Sequence, residues 1–540
     1  MTDIALPLPV AAEPAPDNKW MVAISISFGA IMATVDLSIV NVALPQIRGS
    51  IGASIDQMAA LATSFAIAQV IVMPLTAFLG RFFGQKRVYL FCLGLFLVGS
   101  AICGMARTLT QLVLARALQG LGGGALQPTQ QAILRQTFPM REQGMAMAVF
   151  AMAVMIGPAL GPSLGGWIVD NWSWPWIFYI NLPVGVIGIL MVSRFVHEPE
   201  DIRAANKAAA ERMRGNLDWA GIAFMSVGLA SMQYVLEEGT RNDWFQSTAI
   251  TLATAVAVFS LVAFFVQEFR TPHPAVNLRL FRNGIFSSAT VIGGIMFAIL
   301  MGNMFLLPVF MQELLGYTAL QSGWALMPRS LVMMVATPIV GKLYNRVPPP
   351  LLIGLGVIGV AWGSWAMGHF TLQTTPSDIT ASLVMQGVGF ALLFVPLTTV
   401  AMSHIARNDI ADASGLNSLV RQLGGSIGLA VFTTMLTRWS MQAGAAIGTH
   451  IDVTRPQVRY EMTLLKGLFQ MRGMDAVHAQ SAALTMLQRQ VAGQAAVIAF
   501  DKTFIFGAGL MVLLFPLVFM LRRADNTDED ISTPAAAVEA

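Results

Sequence analysis

Asp36 stands in an unbroken apolar run, between Ile31-Met32-Ala33-Thr34-Val35 and Leu37-Ser38-Ile39-Val40, and Arg116 stands in another that begins near Leu109. An ionisable side chain inside such a run is costly unless it is paired or hydrated, so both are candidates for function. At 1.5 Å rise per residue the acid lies about 12 Å, and the base about 10 Å, from the same end of their helices. That shared depth allows a pair. In a buried pair desolvation disfavours the carboxylate while a guanidinium favours it, so the proton on such an acid responds to whatever else occupies the cavity. The competing expectation is a fixed ion pair that locks two helices. Arg329 and Arg421 are embedded as well, without an acid of matching depth in the second half of the chain. Glu237, Glu238, Glu268, Glu313 and Asp501 fall near the ends of apolar runs, where solvated interfacial groups are expected. Cys92 and Cys103 share one apolar run, as small buried hydrophobes would.

The elements that carry these residues follow from composition. Of 540 residues, 55% are apolar and 11% charged, with a mean hydropathy of +0.65. A soluble globule needs about 25% charged residues to cover its surface. Lipid must therefore contact much of this exterior, and a soluble multidomain enzyme, a disordered scaffold and a disulfide-built secreted protein are excluded. The net charge of +3, with no basic run interleaved with aromatics, gives no nucleic-acid partner. Fourteen apolar spans are expected, at 20–44, 57–79, 88–106, 109–132, 144–169, 176–196, 217–237, 247–268, 284–311, 322–341, 351–370, 379–403, 415–437 and 500–521. Residues 1–18 hold no Lys or Arg and so lack the basic region of a cleavable signal peptide. With the N-terminus inside, nineteen Lys and Arg residues fall in inner connections against three, Arg48, Arg107 and Arg241, in short outer loops. That bias places both termini in the cytoplasm.

Spans 1–6 and 9–14 look like copies. Pro74-x2-Ala77-x-Leu79 is echoed by Pro338-x2-Gly341-x-Leu343, Gln119-Gly120-x-Gly122 by Gln386-Gly387-x-Gly389, and Gly144…Gly157 by Gly415…Gly428, at offsets of 264, 267 and 271. Two parallel six-span halves that rock about a central site are a transporter design. The expected divisions are a tail at 1–19, a six-helix half at 20–196, a linker at 197–216, an inserted two-helix hairpin at 217–268, a second half at 284–521 and a tail at 522–540. The second half includes an outer segment, 438–499, whose glutamines argue against a buried span and whose latter part suits an amphipathic helix. In span 5, Gly157, Gly161 and Gly165 recur every fourth residue, and Pro158 and Pro162 each remove a backbone donor. The result is a bare helix face on which another helix can pack closely.

These residues resemble the major facilitator superfamily, in its fourteen-span drug:proton antiporter branch of the EmrB type. The resemblance rests on Val35-Asp36-Leu37-Ser38-Ile39-Val40-Asn41-Val42-Ala43-Leu44-Pro45, Leu112-x3-Arg116-x2-Gln119-Gly120 and Gly157-Pro158-x2-Gly161-Pro162-x2-Gly165-Gly166. Trp176-Ile177-Phe178-Tyr179-Ile180-Asn181-Leu182-Pro183, Asp243-Trp244-Phe245 and Pro396-Leu397-Thr398-Thr399 extend it over nearly the whole chain. It implies an all-α major facilitator fold, proton coupling through Arg116, and a substrate cavity with Asp36, Gln119 and Asn41. It also implies an inner-membrane location, no cofactor, and work with a periplasmic membrane-fusion adaptor and an outer-membrane channel. One position departs from the family pattern. The loop after span 2 ordinarily carries an Asp that latches the halves together, and here Gly80-Arg81-Phe82-Phe83-Gly84-Gln85-Lys86-Arg87 has Arg81 in its place. The latch must be altered, or supplied by Lys86 and Arg87 with another partner.

Export of amphipathic compounds against protons is the expected function. Transport of one endogenous metabolite, fatty acid or siderophore is the alternative within transport, since fold and coupling would be the same. No Gly-x4-Gly-Lys-Ser/Thr loop points to ATP, and no metal cluster or nucleophile–base pair points to a membrane enzyme built on Asp36 or His478. A sensor that kept the fold without transport is a third class. A single embedded acid suits an organic cation, whereas Arg329 or Arg421 suits an anion.

Overall fold

The computed structural model describes residues 18–198, 202–204, 211, 218–271, 275–449, 451 and 455–525. The expected tails before residue 18 and after residue 525, and most of the linker 197–216, lie outside the described residues. The chain is a bundle of α-helices. The first half comprises α1 (Lys19–Ile51), α2 (Ile55–Phe83), α3 (Gln85–Met105), α4 (Leu109–Thr137), α5 (Gln143–Asn171) and α6 (Trp176–Phe195), the last with a break at Ile180. The hairpin is α7 (Trp219–Glu238) and α8 (Thr248–Arg270). The second half comprises α9 (Gly284–Glu313), α10 (Ala319–Leu343), α11 (Pro349–Met367), α12 (Pro376–Ser403), α13 (Ile410–Gly448), α14 (Pro456–Met471), α15 (Ala476–Val512) and α16 (Phe515–Asp525). Among the described residues thirteen spans are long and apolar enough to cross a membrane, counting α15 and α16 as one. With α4, whose glycines, glutamines and Arg116 dilute its hydropathy, they make fourteen.

The internal repeat governs the packing. In the first half α1 packs on α5, α2 on α4 and α3 on α4, and in the second α9 packs on α13, α10 on α12 and α11 on α12. The helix starts repeat too. Ser54 and Thr318 open α2 and α10 with reciprocal caps to Gln57 and Gln321, and Thr108 and Thr375 accept the backbone N–H of Gln111 and Asp378 at the starts of α4 and α12. Each such cap is worth about 1 kcal/mol, because it satisfies an N–H that the helix leaves without a partner. The halves meet along α5 against α10 and α2 against α13. The bundle face where α1 begins and α16 ends is called here the terminal face, and the opposite one the far face.

Two features depart from the expected layout. Helix α7 wedges between the halves near the far face, where Glu238 accepts from Thr63 of α2 (3.0 Å) and Glu237 accepts from Ser426 of α13 (3.3 Å). These two glutamates are bonded to the bundle, contrary to the solvated groups expected there. In the outer segment, the helix expected in its latter part is present, but α13 runs on to Gly448 and α15 starts at Ala476, so the two membrane helices continue unbroken into sequence expected to lie outside the spans. Polar residues do not end a helix; only lost hydrogen bonds or a conformational breaker do.

Candidate functional site

Asp36 lies midway along α1 and is 1% exposed, as is Arg116 on α4. The two meet directly: Arg116 Nη1 donates to Asp36 Oδ2 at 2.5 Å. Gln119, one turn beyond Arg116, ties the pair together by accepting from Arg116 Nη1 (2.7 Å) and donating to Asp36 Oδ1 (2.8 Å). Asn181 Nδ2, at the start of the main stretch of α6, donates to the same Oδ1 at 3.0 Å. Ser100 of α3 receives bonds from both amides and passes its own hydrogen to the Phe178 carbonyl. Arg116 Nε reaches the Leu61 carbonyl (3.4 Å), and its guanidinium lies 4.2 Å from the Phe65 ring centroid, one turn further along α2. Five helices of the first half thus contribute to one buried network around Asp36. The arrangement holds Asp36 against Arg116 as its one cationic donor, the other donors, Gln119 and Asn181, being neutral.

The expected pair of Asp36 and Arg116 is present, with Gln119 joined to it. Asn41 is not part of the cluster. It lies five residues further along α1 and is exposed, since a helix turns by 100° per residue and carries it away from the Asp36 face. Asn181 and Ser100 take the places that sequence reasoning left empty. Asn181 was visible in the sequence as the polar residue of the Ile180-Asn181-Leu182-Pro183 run; Ser100 gave no signal beyond being polar in an apolar helix.

The bare face of α5 explains how Asp36 is set in position. A Cβ at Gly157 would strike the Thr34 backbone, one at Gly161 would strike the Ser38 side chain, and one at Gly165 would press on Ile39 at 3.3 Å. All three neighbours belong to α1 and flank Asp36. The close packing therefore lies within the first half, on the helix that carries the acid. Pro162 faces the other half, within 3.9 Å of where a Gly323 side chain would begin, and Gly166 faces open space.

The second half holds a neutral copy of the same node. Asn303 Nδ2 and Gln386 Nε2 both donate to Ser364 Oγ, at 3.4 and 2.9 Å. These three residues stand at offsets of 267, 267 and 264 from Asp36, Gln119 and Ser100. Leu383 occupies the position of Arg116. The embedded cations of this half sit elsewhere. Arg421 Nη2 donates to Thr398 (2.8 Å) and its guanidinium lies over Phe394 and Phe297, while Arg421 Nε and Arg329 Nη1 are buried without a hydrogen-bond acceptor.

Closure is concentrated at the terminal face. Among the described residues, the hydrogen bonds that join the halves directly lie in its third of the bundle: Arg81 to Asp412, Arg135 to the Met402 carbonyl (2.9 Å), Asn345 to the Arg141 carbonyl (2.6 Å), Arg407 to the Gln136 carbonyl and Asn417 to Gln131. The Gly144 and Gly341 backbones touch, and a Cβ on Gly144 would sit 2.8 Å from the Gly341 carbonyl oxygen. The expected substitute for the missing acid therefore needs correction. Lys86 donates to the Ser193 carbonyl of its own half and Arg87 is exposed, whereas Arg81 itself pairs with Asp412 on α13. Gly84, with φ +82, makes the turn between α2 and α3 that only glycine takes without strain.

A family profile described as Major Facilitator Superfamily matches residues 26–429. Among curated proteins, the fatty acid resistance protein FarB of Neisseria gonorrhoeae is 30% identical over 93% of this chain and 96% of its own length. The multidrug export protein EmrB of Escherichia coli is 31% identical over 92% and 94%, and the colistin resistance protein EmrB of Acinetobacter baumannii 28% over 94% and 97%. Among solved structures, the human organic anion transporter MFSD10 aligns with a TM-score of 0.61 at 14% identity, covering 93% of this chain and 99% of that one. The proton:xylose symporter XylE aligns with a TM-score of 0.58 at 13% identity, over 90% and 95%. The two structures bear on the fold alone.

Proposed function

Since the chain belongs to the major facilitator superfamily, we propose that it exchanges amphipathic compounds for protons at Asp36. It is a multipass membrane protein and a multidrug exporter of the EmrB kind. The observation that carries the coupling is the Asp36 carboxylate, 1% exposed and held by one cation and two neutral amides. A proton arriving at Asp36 leaves Arg116 uncompensated, and that charge must be screened by rearrangement or by departure of the substrate; loss of the proton restores the pair. The protein changes position, and the cargo leaves chemically unaltered. Arg81 and Asp412 act as the latch that holds the terminal face shut while the far face is accessible.

The excess of Lys and Arg in the terminal-face connections favours an inner-membrane location with both termini cytoplasmic. The helical extension of α13 and α15 with α14 then projects outward. Tyr460, Leu464, Leu468 and Met471 form an exposed apolar stripe on α14, suited to a periplasmic adaptor leading to an outer-membrane channel. The test is substrate-driven dissipation of an imposed pH gradient in proteoliposomes. A protein that moves a fluorescent lipophilic cation without proton counterflow would end the proton-exchange reading. A second reading, export of a fatty acid or similar amphipathic anion, is favoured by the unpartnered guanidinium nitrogens of Arg329 and Arg421. Competition of a long-chain carboxylate with the cation for the same proton movement discriminates the two.

A further inference from the structure

The terminal end of the hairpin holds buried carboxylates beside the latch. Asp218 caps α7, its Oδ1 accepting the Gly221 N–H (2.9 Å) and Gln267 Nε2 (3.0 Å). Glu268, on the last turn of α8, accepts the Val276 N–H at Oε1 (2.6 Å). The residues are 7% and 3% exposed, so Glu268 is not the solvated interfacial group expected from its position near a span end. In each, the second oxygen has no partner: Asp218 Oδ2 and Glu268 Oε2 are both buried without a hydrogen bond. Both oxygens lie against one spot, the bare face of Gly221, where a Cβ would collide with Asp218 Oδ2 and sit 3.2 Å from Glu268 Oε2. The two acceptors thus border one small space, and among the described residues neither has a donor there.

The neighbouring charges sharpen the point. Among the described residues, Asp218 and Asp412 are charged groups that act on Glu268, both of like sign. Arg81 faces Asp412, whose Oδ1 is also buried without a partner. Asp409 adds a further negative charge beside Asp412, and among the described residues Arg81 is the cation bonded to this group of carboxylates. The adjoining backbone groups of one short segment face both sites, Val276 N–H toward Glu268 and Asn277 N–H toward Asp412.

We propose that Asp218 and Glu268 share one proton between Oδ2 and Oε2, and that this proton governs the Arg81–Asp412 latch. With the proton in place the pair carries a single negative charge and Arg81 belongs to Asp412. When the O–H bond breaks and the proton passes to water at the terminal face, a second negative charge appears beside Asp412 in a poorly screened site. It repels Asp412 and competes for Arg81, so the latch loosens. Two carboxylates that share a site do not both ionise readily. The latch part rests on Arg81–Asp412 being the closing contact proposed above; the shared proton does not.

The test is an infrared pH titration of the purified full-length protein in detergent, following the C=O stretch of protonated carboxyl groups. A band from the pair is expected in wild type and in Asp36→Asn, and is lost in both Glu268→Gln and Asp218→Asn. Asn retains the helix cap, so the second variant keeps α7 intact. Gly221→Ala leaves both carboxylates but forces them apart, and should shift the band. A band unchanged in Glu268→Gln and Asp218→Asn overturns the shared proton; loss in one of them alone places it on a single carboxylate and overturns the sharing. For the latch, Thr76→Cys lies buried where α2 meets Gly415, and its maleimide labelling, normalised to unfolded protein, should rise several-fold with pH and stay flat in Glu268→Gln. Labelling that does not change with pH in the wild-type background refutes the link. None of these readouts uses transport, so their failure leaves proton exchange at Asp36 standing, and failure of that exchange leaves them intact.

Discussion

The Asp36–Arg116 pair admits two roles, a static clamp between α1 and α4 or a proton site, and a double-mutant cycle separates them. In Asp36→Asn, the amides of Gln119 and Asn181 keep a polar partner, while Arg116, 1% exposed, loses its counter-charge. In Arg116→Gln the carboxylate is left with neutral donors only. Breaking a buried pair by removing one member costs about 3–5 kcal/mol, because the survivor stays desolvated, whereas replacing both by neutral groups is often close to neutral. Each single variant should therefore lower the thermal midpoint in detergent, and the double variant Asp36→Asn/Arg116→Gln should recover most of the loss. Transport should behave differently. Substrate-driven proton movement in proteoliposomes should be absent in Asp36→Asn, and remain absent in the double variant, since neither replacement can change charge with the cavity state. Recovery of proton-coupled transport in the double variant would refute the reasoning and make the pair a clamp. Arg116 also touches α2 at Leu61 and Phe65, so its replacement should disturb more than the pair alone.

Gly161→Leu should abolish transport while the protein still inserts, because the new side chain meets Ser38 on α1 and displaces the segment that bears Asp36; unchanged proton coupling would mean that α1 yields without cost. Arg81→Asp and Asp412→Arg should each impair exchange, and the doubly exchanged protein should regain much of it, as measured by drug efflux from vesicles; equal loss in all three would show that the pair's orientation matters beyond its attraction. Replacing residues 445–490 by a short Gly/Ser linker should leave proton movement intact in proteoliposomes but remove drug resistance in a Gram-negative cell at equal expression. Full resistance there would make the exporter independent of an adaptor.

The span pattern was legible because lipid leaves little freedom: an apolar run of about twenty residues has one stable form, a helix. Helix ends were less legible, since α13 and α15 continue past their apolar stretches into polar sequence that still forms helix. At the site, Asp36, Arg116 and Gln119 were legible because charge and polarity are conspicuous in an apolar span. Asn181 and Ser100 depend on the packing of α3 and α6 around α1, which no local pattern carries. The partner of Arg81 was hidden for the same reason, as 331 residues separate it from Asp412. The glycines of α5 announced a close contact and left its partner open.

The repeat supplies a physical reason for one charged node where symmetry would allow two. Asp36, Ser100 and Gln119 correspond in place to Asn303, Ser364 and Gln386, and the second set keeps the hydrogen-bonded core without the acid or the guanidinium. Two buried ionisable pairs would each carry a desolvation cost of several kcal/mol per ion. A neutral copy holds its helices together at less cost, and it does not change with the proton state of the cavity. One half can then respond to the proton while the other stays unchanged. Asn303 Oδ1 and Gln386 Oε1 are buried without a donor, so the neutral node retains acceptor capacity that the charged one has spent on Arg116 and on the amides of Gln119 and Asn181.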